Sequence, residues 1–195
     1  MALQTRFNSY MASAWAGMWY DISDTEAYGR TCEMSAIPFG VAVVRGTNDN
    51  QCRLPDHGGY LETLDPAKAA TDPAVNLFEG ITMYHAANAR AAGVQMKAPI
   101  ADDEFAFLAE TETASVMTHG RIYAVTRTDV VKGGPVFFRH TLTDNAAASQ
   151  TETLGELLGD DAGGNATQIA GAVWVHTAAA NELSIVQLTG AQQVV

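Results

Sequence analysis

The stretch Arg121-Ile122-Tyr123-Ala124-Val125-Thr126-Arg127, followed by Val130-Val131-Lys132-Gly133-Gly134-Pro135 and Val136-Phe137-Phe138-Arg139, decides the fold class. Side chains alternate sides along an extended chain, so Ile122 and Ala124 face one way and Tyr123 and Val125 the other. Gly133-Gly134-Pro135 reads as the turn that feeds the strand at residues 136–139. Upstream, residues 104–117 give one strand or two, and Thr118-His119-Gly120 a turn. Residues 77–84 read as a buried strand with a bulge at Gly80. Further back, Pro38-Phe39-Gly40 punctuates the chain before the strand Val41-Ala42-Val43-Val44-Arg45, and Cys52-Arg53-Leu54-Pro55 is a return strand with an edge proline. Near the other end, residues 172–176 and 183–188 flank a turn and form a hairpin. Short strands with glycine-centred turns therefore recur from residue 40 onward. The fold class is all-β (mainly β): a β-barrel or sandwich with an N-terminal arm or helix and long loops.

The first twenty residues carry Phe7, Tyr10, Trp15, Trp19 and Tyr20. Leu3, Phe7, Tyr10, Met11, Ala14, Trp15 and Met18 fall at helical spacing along one face. Two readings stand: a short helix on the domain's own core, or an arm that packs on a neighbouring subunit. Residues 21–35 are polar and read as an irregular connector. The chain thus divides into an arm and connector at 1–36 and a β-rich domain at 37–195. Loop insertions are expected at 56–76 and at 141–170, the latter with a short helix at 153–158.

Composition narrows the function. The chain has 195 residues, 47% hydrophobic and 17% charged, against an ordinary charged share of about 25%. So little charge implies surface that a partner covers. The net charge of −11 repels nucleic-acid backbones, and no cluster of lysine and arginine offsets it. Acids gather at Asp102-Asp103-Glu104, at Glu110 and Glu112, and at Asp160-Asp161, and read as solvated loops and strand faces. No apolar run approaches the roughly 20 residues a membrane helix needs, and the N-terminus lacks a signal-peptide core, so folding in the cytoplasm is expected. Cys32 and Cys52 then read as buried free thiols, with a bridge between them as the alternative.

A catalytic or metal centre finds little support. There is no Gly-x-Ser-x-Gly elbow, phosphate-binding loop or dinucleotide fingerprint. The five histidines, at 57, 85, 119, 140 and 176, lie in separate segments and form no helical ligand pair. His119, His140 and His176 could meet only through the fold. No enzyme activity, no cofactor and no metal are expected.

Several blocks resemble the structural cement proteins of tailed bacteriophages. Ala36-Ile37-Pro38-Phe39-Gly40 leading to Val43-Val44-Arg45-Gly46-Thr47 is similar to the start of that family's β-domain, and residues 1–18 match its early segment. Phe78-Glu79-Gly80-Ile81-Thr82 resembles a second block. Ser115-Val116-Met117 with Gly120-Arg121-Ile122-Tyr123-Ala124-Val125, then Val131-Lys132-Gly133-Gly134-Pro135-Val136, resembles a third. Gly171-Ala172-Val173-Trp174 and Ile185-Val186-Gln187-Leu188 close the series. Gly134 departs from the family, where an acid is more usual.

The resemblance implies a capsid decoration protein in the virion, on the outer surface, made and assembled in the host cytoplasm. It implies the major capsid protein as partner, a homotrimer on the capsid at or near three-fold positions, and bridging of coat subunits. Nucleic acid and membrane are not expected partners. Phe7, Tyr10, Trp15, Trp19 and Tyr20 are the candidate intersubunit or coat contacts, so deleting residues 1 to about 20 is expected to weaken capsid binding and leave the β-domain folded. Rival readings are a tail-tube or head-completion protein, and a carbohydrate-binding adhesin using Trp15, Trp19 and Trp174 as a stacking platform.

Overall fold

The computed structural model describes residues 14–33, 37–55, 78–84, 107–108, 112–142 and 153–189. Phe7, Tyr10, the acids at 102–104 and 110, His57, His85, and the loop expected at 56–76 lie outside the described residues.

Among the described residues the strands are β1 (Trp19–Cys32), β2 (Ile37–Pro38), β3 (Ala42–Arg45), β4 (Gln51–Arg53), β5 (Phe78–Met83) and β6 (Phe107–Leu108). They continue with β7 (Thr113–Val125), β8 (Pro135–Arg139), β9 (Leu157–Leu158), β10 (Ala166–Trp174) and β11 (Leu183–Thr189), and a 3-10 turn spans Ala162–Gly164. The mainly-β expectation is met. Nine strands form one mixed sheet in the order β1-β4-β3-β5-β7-β11-β10-β8-β9, and β2 pairs with β6.

The strand β7 organises this sheet. Along one edge it pairs with β1, from Thr31↔Thr113 to Trp19↔Ile122. Its other edge is shared end to end: Ser115 to Met117 pair with β5, and His119 to Val125 with β11. Because β1 also pairs with β4, the pairings β1-β4-β3-β5-β7 return to β1 as a ring. A second ring runs β7-β11-β10-β8-β9 and closes where Thr126 bridges Leu157 and the Arg127 amide donates to the Leu157 carbonyl at 3.0 Å. Closing a sheet on itself leaves fewer bare edges for unwanted pairing.

Two cores fill the interior. Cys32, Ile37, Phe39, Val41, Val43, Cys52, Leu54, Ala114 and Val116 fill the first. Ala42, Val44, Ile81, Met117, Ile122, Phe138, Leu157, Ile169, Trp174 and Val186 belong to the second, larger one. The strand β3 separates them, with Val43 facing one core and Ala42 and Val44 the other. That explains its unbroken apolar run, since a strand buried on both faces has no polar alternation.

Four expectations are corrected. Residues 21–35, expected as a connector, lie largely in β1; most of its described side chains up to Gly29 are exposed, so the polar pattern marks an outer strand and not a loop. Thr118-His119-Gly120, expected as a turn, is an irregularity inside β7, where the register steps from Ala27↔Met117 to Glu26↔His119. Gly120 has φ +119°, and a Cβ there would sit 2.8 Å from the Asp24 carbonyl oxygen, so this glycine admits a close strand instead of reversing the chain. The irregularity also changes phase: Met117 and Ile122, odd and even, face the same core.

The helix expected at 153–158 is a turn and β9. There Gly155, at φ +79°, donates to the Arg139 carbonyl and accepts from the Ala42 amide, both at 2.8 Å. Finally, β10 starts at Ala166, so the end of the expected 141–170 insertion is sheet. The hairpin of β10 and β11 and the bulge in β5, where Val43↔Gly80 steps to Val44↔Phe78, are as expected.

Candidate interaction surface

The described aromatic residues of the N-terminal segment divide into an anchored set and an exposed one. Residues 15–18 form a turn, with the Met18 amide donating to the Trp15 carbonyl at 3.0 Å, and not the end of a helix. Trp15 is half-buried and meets the Tyr84 ring edge-on at 5.4 Å; Tyr84 in turn meets Phe39 at 5.3 Å. Gly17 donates to the Tyr123 carbonyl and accepts from the Tyr84 amide, both at 2.7 Å, and Tyr123 donates to Met18 at 2.8 Å. At φ +84° a Cβ on Gly17 would lie 2.8 Å from the Tyr84 nitrogen, so only glycine fits this clamp. Trp15 therefore packs on the chain's own core.

Trp19 and Tyr20 are different. They begin β1 at 45% and 47% exposure, and Tyr28, further along the same strand, is 51% exposed. Tyr20 leans edge-on against Tyr123 at 5.7 Å, and the Arg30 guanidinium lies 5.7 Å from the Tyr28 ring centre. Tyr28 was not among the residues singled out from the sequence, because the segment around it read as a connector. Its signal was a lone aromatic between small residues, Ala27 and Gly29.

On its outer edge β1 pairs with β4 only at Thr31 and Cys32. Among the described residues no strand covers that edge from Trp19 to Arg30. Asp21, Asp24 and Glu26 are exposed beside the aromatics. Asp24 accepts from His119 Nε2 at 3.1 Å across a shallow cleft that Asp21, Gly120, Arg121, Gln187 and Leu188 also line. With its side chain 85% exposed, Asp24 lacks the sequestration that acid–base chemistry exploits.

Two ion clusters centre on largely buried carboxylates, Glu79 and Glu156. Glu79 of β5 joins Arg30 of β1 and Arg45 of β3, the Arg30 Nε donating at 2.6 Å. Glu156 accepts from Arg139 Nε at 2.5 Å, from Arg127 Nε at 3.2 Å and from the Thr153 amide at 3.0 Å. Neither cluster was legible in the sequence, where Glu79 and Glu156 stand apart from the grouped acids.

The other candidates separate. Trp174 is 1% exposed, with its indole donating to the Leu158 carbonyl at 3.4 Å, so it is core and no part of a stacking platform with Trp19. His140 Nδ1 lies 2.9 Å from the Thr141 hydroxyl, while the His176 carbonyl accepts from the Ser184 hydroxyl at 3.1 Å. Among the described residues no group of three or more His, Cys, Asp and Glu side chains is placed to hold a metal. No helix in them is long and apolar enough to cross a membrane.

A body of two strand rings bearing an open, aromatic strand defines a mainly β protein with a surface suited to contact. The family model of phage structural cement protein (E217 gp24/Pam3 gp6) matches residues 3–189, and the chain belongs to that family. It is a structural, capsid-stabilising protein of the virion that binds coat protein, and its family is not an enzyme class. The fold is similar to that of a chain in the solved structure "The capsid of Myoviridae Phage XM1", with TM-score 0.60 and 13% identity over 97% of this chain and 98% of that one. No match was found among curated proteins.

Proposed function

We propose that this cement protein decorates the outer surface of the capsid and bridges neighbouring coat subunits through the outer edge of β1. The observation that carries this reading is the coincidence of three exposed aromatics, Trp19, Tyr20 and Tyr28, with a strand edge that is uncovered among the described residues. An uncovered edge offers backbone donors and acceptors to an extended segment of a partner, and flanking aromatics supply apolar anchors. Asp21, Asp24 and Glu26 favour a coat surface with basic groups beside its apolar pockets.

Phe7 and Tyr10 extend the contact as an arm, while Trp15 serves as the root that fixes the arm to the body. The chain acts as a homotrimer on the shell, so each contact can be weak and the assembly still persist. It carries no catalytic activity, and its net charge of −11 keeps it off packaged nucleic acid during assembly in the host cytoplasm.

The test is co-sedimentation of the full chain with expanded shells of the cognate coat protein, followed by imaging. Saturable binding with ordered density at three-fold positions and β1 against coat protein is expected. Absence of binding to expanded and unexpanded shells alike would overturn the surface-decoration reading.

A further inference from the structure

The first strand ring closes at a two-rung parallel seam. Thr31 of β1 stands opposite Gln51 of β4, and Cys32 stands opposite Cys52. Both cysteines are free and fully buried, at 1% and 0% exposure. Directly paired residues on neighbouring strands project side chains to the same face, and both sulfurs belong to the first core. Strand spacing of roughly 4.8 Å falls within the Cα separations that a disulfide spans. Interaction with the Cys52 side chain holds the Cys32 thiol below its ordinary value, and interaction with Cys32 together with burial pushes the Cys52 thiol up.

We propose that Cys32 and Cys52 are a disulfide-forming pair that closes the seam covalently when the protein meets a low-molecular-weight disulfide. The Cys32 thiolate attacks one sulfur of the oxidant, whose S–S bond breaks and releases one thiolate with the bonding pair. Cys52 then loses its proton and attacks Cys32 Sγ in the mixed disulfide, expelling the second thiolate. The protein gives up two electrons and two protons, and the oxidant becomes two thiols.

Burial makes the step slow and dependent on local opening. The seam is short: beside its two paired rungs the Thr31 amide donates to Asn50 and the Glu33 amide to Cys52, both at 2.9 Å. In reducing surroundings the pair stays open and leaves assembly unconstrained, while oxidising surroundings lock the ring. This chemistry does not depend on which capsid surface the protein occupies.

The experiment incubates the full purified chain with oxidised glutathione, quenches with acid and digests with trypsin without reductant. Cleavage after Arg30, Arg45 and Arg53 places the cysteines in separate peptides, 31–45 and 46–53. A single linked pair of those peptides is expected, with a thermal midpoint raised by roughly 6–12 °C that reductant reverses. Cys52→Ala is expected to trap glutathione on Cys32. Persistent free thiols, a stable glutathione adduct on the unaltered chain, or links only between molecules would overturn the proposal. So would a Cys52→Ala chain that takes up no glutathione while the unaltered chain oxidises.

Discussion

Glu156 is 4% exposed and takes two arginines and a backbone amide, tying the turn before β9 to β8 and to the end of β7. A carboxylate so placed costs desolvation that its partners offset, and removing one member leaves the others buried without it. Glu156→Ala is therefore expected to destabilise the fold by about 3–5 kcal/mol, and Glu156→Gln by about 1–3 kcal/mol, since the amide oxygen still accepts from Thr153. Urea unfolding checks this as a fall in midpoint at constant slope. Gly80 sets a second residue-scale expectation. With φ +151° and a would-be Cβ 2.3 Å from the Met117 carbonyl oxygen, Gly80→Ala must distort the β5–β7 pairing. It is expected to cost about 2 kcal/mol or more by the same measurement. Glu156 stands 17 residues from Arg139, and Glu79 stands 49 from Arg30; pairs so distant leave no mark in a local pattern.

At the scale of elements, legibility follows burial. The strands β3, β5, β8 and β11 could be placed from sequence because their apolar residues face a core, largely in alternation in β8 and as runs of consecutive buried residues in β3, β5 and β11. The strand β1 could not, because its stability comes from backbone pairing with β7 while its own side chains meet solvent. Gly120 misled for a related reason: a glycine that admits a neighbouring strand looks locally like one that reverses the chain. Exposure at the candidate contacts was only partly legible. Trp19 and Tyr20 are exposed, Trp15 is anchored, and Tyr28 was hidden in the misread connector. Exposed side chains contribute little to folding, so Trp19→Ser and Tyr28→Ser are each expected to change stability by no more than about 0.5 kcal/mol. As central anchors of an interface, each should weaken shell binding about tenfold or more. Val131, 64% exposed on the turn between β7 and β8, supplies the control: Val131→Ser should bind shells normally in the same titration. Equal losses in all three variants would mean general stickiness and not a defined contact.

For the whole molecule the question is where the body ends and the arm begins. The sequence placed that boundary near residue 20 for contacts and at 36 for the domain. The backbone bonds of Gly17 and Met18 to Tyr84 and Tyr123 argue for an earlier limit, since a cut at 20 removes a clamp between β5 and β7. Removing residues 1–13 instead takes Phe7 and Tyr10 and leaves the clamp, Trp15 and β1 in place. If the arm and the β1 edge engage the shell together, each raises the effective concentration of the other. Losing the arm then costs more than its own contacts: binding to shells is expected to fall by about 100-fold or more. The unfolding midpoint should shift little, because every described member of the two cores is retained. Titration of shells with the full and shortened chains, beside thermal unfolding of both, reads the two quantities separately. A folded, shortened chain that binds as tightly as the full one would confine the contact to β1 and leave the arm without a role on the shell.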